Sequence, residues 1–195
     1  MSLWILESQD SQENISQNNL VSSQMEDTKA KIFDLSQCDF HAGKLSQSEA
    51  QKVLDLIIEE NKIKSHMLEP SVQQLMQTQH FIAAQVDDLL IGYTRLTDIW
   101  YNNIQEVGSS IVAQAFRRKH VGLKMMQELI DNSQADPVYG ITNVAHVEHM
   151  FDELGLMKVL KENIDTKVLE KIEELWALLD DDVIYANTKF LQLYS

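Results

Sequence analysis

The chain is poor in cysteine, in proline and in long apolar runs. Cys38 is the only cysteine among 195 residues, so neither an intrachain disulfide nor a thiolate metal cluster can form. No apolar run approaches the roughly 18 residues that span a bilayer. The first residues, MSLWILESQD, have neither the basic nor the apolar region of a secretory signal. Because a reducing compartment also suits a chain with one thiol, we predict a cytoplasmic protein without a membrane partner.

Positive charge is also scarce. Lysine and arginine number 16 against 30 aspartates and glutamates, which gives a net charge of −14. A nucleic-acid-binding surface needs cations that displace counterions from phosphates, so no nucleic-acid partner is predicted. The hydrophobic fraction of 44% is sufficient for a buried core in a single domain.

The N-terminal segment has a composition of its own. Residues 8–24 read SQDSQENISQNNLVSSQ and consist almost entirely of Ser, Gln, Asn and acids. Such a segment cannot bury enough apolar surface to offset its ordering entropy. We predict that residues 1–28 form a flexible polar arm and that residues 29–195 form one domain.

Strand-like and helix-like patterns alternate along that domain, which predicts a mixed α/β fold. Ser46 or Ser48 is a suitable cap for the first helix, and Gly155 is a suitable end for a later one. The predicted strands cover residues 30–36, 80–86, 89–96, 103–114, 138–142 and 182–190. The predicted helices cover residues 46–64, 71–77, 145–155 and 165–179, and a further helix after the basic turn carries Val121, Met125, Met126 and Leu129 on one side.

One strand-to-helix turn is basic in this otherwise acidic chain. It reads QAFRRKHVGLKMM from Gln114 to Met126. A helix that begins directly after a strand presents unpaired N–H groups and the positive end of its dipole, which favours phosphate or pyrophosphate. Three consecutive cations from Arg117 to Lys119 strengthen this prediction of an anion site.

The surrounding segment, VGSSIVAQAFRRKHVGLKMMQELI, resembles the acetyl-CoA-binding segment of the GCN5-related N-acetyltransferase (GNAT) superfamily. The pattern of that family is Arg/Gln-x-x-Gly-x-Gly/Ala, in which Arg117 takes the first position and Gly122 the last. MFDELGL (150–156) is similar to the family's Leu-Tyr-Glu-Lys-Leu-Gly-Phe signature. The resemblance implies an acyl-CoA N-acyltransferase-like fold, with a mixed, mostly antiparallel central sheet flanked by helices.

The resemblance also implies acetyl-CoA as the cosubstrate. Backbone groups at the end of the fourth strand would pair with the pantetheine arm, and N–H groups at the start of the helix would hold the pyrophosphate. The cofactor-binding residues implied are Ile111, Val112, Arg117, Arg118, Lys119, His120, Val121, Gly122, Leu123 and Asn143.

This chain departs from the family pattern at three positions. His120 takes the place of the first glycine: its side chain is costly if the backbone there needs a positive φ, and is tolerated if the residue already lies in the first helical turn. Phe151 takes the place of a tyrosine that protonates the leaving thiolate. The family's asparagine would fall on Val144, one residue after Asn143.

Glu106 and Tyr139 are the main candidates for proton transfer. Glu106 lies on the strand that would carry the cofactor and could act as the base for the amine; the alternative is a strand-end carboxylate that faces water. Tyr139 could replace the missing acid, as could Tyr93, although each could equally be a packed aromatic residue.

Two further groups of residues are candidate binding sites. His146 and His149 lie on one helix face, but the spacing of a zinc motif is absent, so no metal is predicted. Trp100 and Tyr101 could line a pocket for an amine, cover the sheet edge, or form an oligomer contact such as a homodimer interface.

The sequence thus predicts an N-acetyltransferase that transfers an acetyl group from acetyl-CoA to an amine of a small molecule or peptide. The altered glycine and the missing tyrosine leave an alternative open. A domain of the same shape could serve as a binding or interaction module, with or without coenzyme A and without turnover.

Overall fold

The computed structural model divides the chain into two units, Met1–Gln37 and Cys38–Ser195. The structure describes residues 33–64, 69–97, 104–132, 137–175, 178 and 181–193. The predicted arm, residues 1–28, lies outside these ranges, and the predicted domain boundary after residue 28 stays a prediction.

The described part of the first unit is a short 3-10 helix, Leu35–Gln37. The carboxylate of Asp34 accepts a hydrogen bond from the backbone N–H of Ser36 at 2.9 Å. An aspartate that bonds the backbone two residues ahead favours a turn over an extended chain. The strand predicted over residues 30–36 is therefore wrong at 33–36, while residues 30–32 lie outside the described part.

The second unit is built on a seven-stranded sheet flanked by helices, which confirms the predicted mixed α/β fold. The strands are β1 (Asp39–His41), β2 (Phe81–Val86), β3 (Leu89–Thr97), β4 (Gln105–Val112), β5 (Val138–Thr142), β6 (Met157–Val159) and β7 (Val183–Ala186). The helices are α1 (Gln47–Lys64), α2 (Val72–Gln77), α3 (Val121–Asn132), α4 (Ala145–Glu153), α5 (Thr166–Leu175) and α6 (Thr188–Gln192).

The sheet order is β1-β2-β3-β4-β5-β7-β6, and every neighbouring pair is antiparallel except β4 and β5. The tight hairpin between β2 and β3 turns at Asp87, which has a φ of 53°. Three elements were not predicted, and the first is β1, a three-residue edge strand. β6 is also a three-residue edge strand, too short for a sequence pattern. The remaining unpredicted element is α6. The strand predicted over residues 182–190 ends at Ala186, because Asn187 caps α6 through a 2.9 Å bond from Phe190 N–H.

Capping residues set the starts of both N-terminal helices. Ser46 caps α1: its hydroxyl accepts from Glu49 N–H at 3.2 Å, and the Glu49 carboxylate accepts from Ser46 N–H at 2.7 Å. Ser71 and Gln74 form the same reciprocal box at α2. Each box satisfies N–H groups that a helix leaves unpaired, and Ser46 rather than Ser48 is the cap.

Helix α3 packs closely on β3. Its apolar face is buried, as predicted, at Val121, Met125, Met126 and Leu129. A Cβ on Gly92 of β3 would lie 2.8 Å from the Cε of Met125, so this glycine permits the close approach. None of the described helices is long and apolar enough to cross a membrane.

Candidate active site

The two parallel strands, β4 and β5, pair only where they begin. Gln105 lies opposite Val138 and Glu106 opposite Tyr139; after that β4 runs on to Val112 and β5 to Thr142 without further pairing between them. Backbone groups on the facing edges are therefore left without their ladder partners. The strands form a cleft that opens toward their carboxyl ends.

A β-bulge lies in β4 beside this cleft. Tyr93 lies opposite Ile111 and Arg95 opposite Gly108, so Thr94 alone faces two residues of β4, Ser109 and Ser110. Ser109 has a left-handed backbone, with φ at 50°. Two side-chain contacts hold the bulge, from Arg95 Nε to Ser109 Oγ at 3.2 Å and between the Thr94 and Ser110 hydroxyls at 2.5 Å. A bulge leaves backbone groups unpaired and re-aims the strand, as happens often at functional sites.

The N-terminus of α3 lies at the carboxyl end of β4. The first helical hydrogen bond runs from Lys124 N–H to His120 C=O at 3.0 Å, so the N–H groups of residues 121–123 precede the helical ladder. A Cβ on Gly122 would lie 3.5 Å from Val112 and 3.3 Å from Met150. The start of α3 therefore contacts β4 on one side and α4 on the other.

His120 has the backbone that the family pattern assigns to glycine. Its φ is 60°, and α3 begins only at Val121, so residue 120 is not in the first helical turn. Of the two alternatives for this position, the positive φ is the one observed. A left-handed backbone costs a residue with a side chain about 1–2 kcal/mol. Arg118 has nearly the same φ, 59°.

The three cations of the loop have different surroundings. The Arg117 guanidinium donates to Val112 C=O at 3.0 Å and forms an ion pair with the buried Glu60 of α1. The Lys119 ammonium lies 5.6 Å from the centre of the Phe116 ring. Arg118 is exposed and makes no ion pair with the rest of the described chain.

Phe151 is buried against β5. A Cβ on Gly140 would lie 2.5 Å from its ring, and the ring packs at 5.4 Å on that of Tyr185. The Tyr185 hydroxyl donates to Glu148 at 3.1 Å, and burial, followed by that carboxylate, raises the pKa of the hydroxyl. Asn143 is exposed in the short link after β5, at the mouth of the cleft.

The structure brings the two candidate proton-transfer residues together. Glu106 and Tyr139 are cross-strand neighbours where β4 and β5 still pair. Glu106 is only 6% exposed, so the alternative of a carboxylate facing water is wrong. Tyr139 is 2% exposed and packs 5.8 Å from the Phe190 ring in an apolar cluster; its role as an acid stays a prediction.

A polar pocket of about 200 Å³ adjoins this site. Helix α2 and the end of β3 supply its lining residues, which are Gln74, Gln77, Thr78, Arg95, Leu96 and Thr97. No short sequence pattern links two elements so far apart in the chain, and the sequence did not predict the pocket. Trp100 and Tyr101, which were considered for an amine pocket, lie outside the described residues.

The two histidines of α4 do not form part of a recognisable metal site. His149 pairs with Glu153 at 3.1 Å along the helix. In the described ranges there is no group of three or more potential metal ligands, and the lack of a metal stays a prediction.

An open mixed sheet whose central parallel strands separate beside a bulged β4 is the acyl-CoA N-acyltransferase-like fold. The family model described as "Acetyltransferase (GNAT) family" matches residues 49–158, more than half of the chain. The chain belongs to this family. No curated protein sequence matches it.

Solved structures of acetyltransferases show the same fold at low identity. N-acetylglutamate synthase from Neisseria gonorrhoeae, in complex with coenzyme A and N-acetyl-glutamate, has a TM-score of 0.58 and 13% identity over 77% of this chain. This chain spans only 34% of that synthase. Diaminobutyrate acetyltransferase EctA from Paenibacillus lautus, in complex with L-2,4-diaminobutyric acid and coenzyme A, has a TM-score of 0.57 and 12% identity, covering 78% of this chain and 95% of its own.

An acyl-CoA N-acyltransferase from Pseudomonas aeruginosa has a TM-score of 0.56 and 18% identity, covering 77% of this chain and 99% of its own. At such identities the likeness shows the fold alone.

Proposed function

We propose that this protein transfers an acetyl group from acetyl-CoA to the amine of an acceptor. The observation that carries the proposal is the cleft between β4 and β5, which pair at only two positions. A pantetheine arm is extended and carries amide groups, so it can pair with the cleft-facing backbone edge of β4 near Ile111 and Val112, where the Val112 C=O also accepts from Arg117. The cleft leads to the start of α3, where the N–H groups of residues 121–123 suit a pyrophosphate.

The roles proposed for the other cofactor-binding residues depend on their positions relative to this cleft. Arg118, Lys119 and His120 surround the start of α3 and supply charge or a donor to phosphate, while Arg117 holds the loop to β4 and α1. Asn143 is positioned at the mouth of the cleft to bond the cofactor from the β5 side.

The reaction is direct attack of the amine nitrogen on the thioester carbon. The new C–N bond forms as the C–S bond breaks, and the products are the N-acetyl amine and coenzyme A. Glu106 is the proposed base that takes the proton from the amine. Backbone N–H groups at the bulge of β4 are the proposed donors to the tetrahedral oxyanion.

The leaving thiolate needs a proton at the end of the reaction. Tyr139 is the proposed donor within the site, because it lies directly across from Glu106. Solvent water is a sufficient source too, since a thiolate is a stable leaving group compared with an alkoxide. Phe151 cannot donate, and its buried ring is the observation that favours the alternative function, a domain that binds coenzyme A without turnover.

The proposal is tested by calorimetric titration with acetyl-CoA and with coenzyme A, followed by a thiol-release assay over a panel of amines. We expect one micromolar site per chain and acetylation of at least one amine. Glu106→Gln should lower kcat and leave acetyl-CoA affinity unchanged.

No binding at millimolar cofactor would contradict the proposal as a whole. Cofactor binding without acetylation of any amine would favour the alternative, a binding module.

A further inference from the structure

The polar pocket lies on the same face of the sheet as the proposed base. Side chains alternate along a strand, so Arg95 and Thr97 of β3 share one face. Glu106 lies opposite Thr97 and Gly108 lies opposite Arg95, and residues directly opposite in a sheet share a face. A Cβ on Gly108 would lie 3.3 Å from Thr97 Oγ1 and 3.5 Å from Glu106 Oε1. Glu106 is not among the lining residues, but its carboxylate approaches the same point on this face as the Thr97 hydroxyl of the lining.

Arg95 brings a positive charge to this pocket. Its Nε donates to Ser109 at the bulge, and none of the described residues accepts a hydrogen bond from the two terminal nitrogens of its guanidinium. Among the residues described, Arg95 has no carboxylate partner, and none of the lining residues is acidic. A half-buried guanidinium beside neutral polar side chains is suited to bidentate binding of a carboxylate.

The other lining side chains are also hydrogen-bonding groups. Gln74 and Gln77 of α2 each carry an amide, and Thr78 and Thr97 each carry a hydroxyl. An amide donates two hydrogen bonds and a hydroxyl one, and the Thr78 hydroxyl already donates to Gln74 C=O at 3.2 Å. The two amides and the Thr97 hydroxyl are therefore the neutral donors that the described lining offers to an anionic group. Leu96 is the one apolar residue among the described lining residues, and strand alternation directs its side chain to the other face of the sheet.

Tyr93 supplies an independent observation on the same face. It is fully buried, and its hydroxyl has no hydrogen-bond partner of normal geometry among the described residues. Burial raises the pKa of this hydroxyl, and the nearby Thr78 hydroxyl lowers it by a smaller amount. A buried unpaired hydroxyl costs about 1–3 kcal/mol. Its position beside Thr78 and Arg95 makes a bound polar group the natural partner.

We infer that the acceptor is a small amine that also carries a carboxylate, which Arg95 binds while the amine nitrogen faces Glu106. This inference rests on the proposed acetyl transfer. The pocket volume of about 200 Å³ is below the range of about 300–1,000 Å³ for drug-sized ligands. A free amino acid is small enough for this pocket. Its carboxylate and its ammonium group, a few bonds apart, match the opposite charges of Arg95 and Glu106.

The test is a thiol-release assay with matched pairs of acceptors. Each pair consists of an amino acid, with its amine on the α, β, γ or δ carbon, and the carboxamide of the same compound. We expect kcat/KM to be at least tenfold higher for the carboxylate of the preferred pair. The comparison is conservative, because a carboxamide lowers the pKa of a nearby amine and so supplies more of the reactive free base.

Arg95→Gln should raise KM for the preferred amino acid by about 10- to 100-fold, the loss expected for a charge-assisted hydrogen bond. It should leave the carboxamide unaffected and so abolish the preference. Arg95→Lys should keep part of the preference, because it retains the charge. Lys167→Gln removes one exposed cation on α5, away from the pocket, and should change nothing.

Because Arg95 also holds Ser109, its loss could unfold the bulge, so Gln77→Ala serves as a second variant. Gln77 is exposed on α2 and has no structural hydrogen bond among the described side chains. Its loss should raise KM for the amino acid several-fold without changing the melting temperature. Equal use of carboxamides, or acetylation of polyamines or protein lysines alone, would overturn the inference and leave acetyl transfer standing. Failure to bind acetyl-CoA would overturn both.

Discussion

The cleft between β4 and β5 and the pocket under α2 are built from different parts of the chain. The cleft is made of backbone: separated strand edges, a bulge and the N-terminus of α3. The pocket is made of side chains, mainly amides, hydroxyls and one guanidinium, from two elements. Backbone geometry survives many substitutions, whereas a side-chain site is changed by one.

This difference explains why the departures from the family pattern leave the cleft intact. His120 keeps the positive φ of a glycine, at a cost in strain, and the helix still starts at Val121. The pocket has no such tolerance, since Arg95 is the one cation among its described lining residues and replacing it removes that charge. We therefore expect substitutions that shift the backbone to change the affinity for the cofactor. Substitutions of polar side chains in the pocket should change KM for the acceptor.

The largest effect is expected for Gly140→Ala, which adds a methyl group to the β5 wall of the cleft. The new Cβ would lie 2.5 Å from the Phe151 ring, which is itself buried and cannot move aside freely. Overpacking of this kind costs about 1–3 kcal/mol. We expect that loss in urea denaturation, together with weaker acetyl-CoA binding in calorimetry, because α4 must shift away from β5.

A double variant provides the control. Phe151→Leu shortens the colliding side chain, so Gly140→Ala should cost less in its presence than alone, which a double-mutant cycle measures. Equal costs in both backgrounds would show that the ring contact is not the cause.

The second effect concerns the ion pair that anchors the cofactor loop. Glu60→Gln removes the charge that holds Arg117, and Arg117 in turn holds the end of β4. Because Arg117 is 39% exposed, we expect about 1–2 kcal/mol of lost stability rather than the larger loss of a fully buried pair. KM for acetyl-CoA should rise about fivefold, while kcat and the KM for the acceptor stay unchanged.

The matched control is Glu59→Gln on the same helix. Glu59 is exposed and pairs with Lys62, so its loss should affect neither stability nor cofactor KM appreciably. If both variants raised the cofactor KM equally, the effect would come from net charge and not from the anchor.

Much of the fold could be predicted because its signals are local. The hairpin at Asp87, the cap at Ser46 and the apolar face of α3 each depend on a few neighbouring residues. The edge strand β6 and the helix after Asn187 were missed, since three- and five-residue elements owe their conformation to neighbours across the sheet.

The candidate site likewise has features that could be predicted from local sequence and features that could not. The basic turn was predicted because a helix start after a strand is visible in sequence, as was Glu106 on its strand. The ion pair of Arg117 with Glu60 joins residues far apart in the chain, and so does the pocket. Such contacts depend on the tertiary fold, which no spacing rule encodes.

The third prediction concerns His120. Glycine at this position removes the left-handed strain of about 1–2 kcal/mol but adds conformational entropy to the unfolded chain. We expect His120→Gly to stabilise the protein by about 0.5–1 kcal/mol in thermal denaturation. His120→Ala is the control, since it removes the imidazole but keeps the strain and should give no gain.

The same two variants separate backbone from side chain in the cleft. If the imidazole donates to phosphate, both variants weaken acetyl-CoA binding by a similar factor. Equal or tighter binding by His120→Gly would show that the cleft binds through backbone alone at this position.

The smallest effect is expected at Glu49, at the end of α1 remote from Glu60. Hydrogen bonds from the Ser46 side chain and backbone hold the pKa of this carboxyl below its ordinary value, so the folded state binds its proton less readily than the unfolded chain. The contribution of Glu49 to the free energy of unfolding is present above the pKa that this carboxyl has in the unfolded chain. It is lost as pH falls through the pKa that the carboxyl has in the folded protein. Glu49→Gln should cost a few tenths of a kcal/mol at neutral pH, about the value of a first-turn carboxylate.

The difference in unfolding free energy between the wild type and Glu49→Gln should shrink in denaturation curves as pH falls below the ordinary pKa of a glutamate, and acetyl-CoA affinity should stay unchanged throughout. A gap that widened in acid would reverse the sign assigned to the Glu49 pKa. A change in cofactor affinity would mean that the two ends of α1 are coupled, and that the cleft depends on side chains well beyond its own walls.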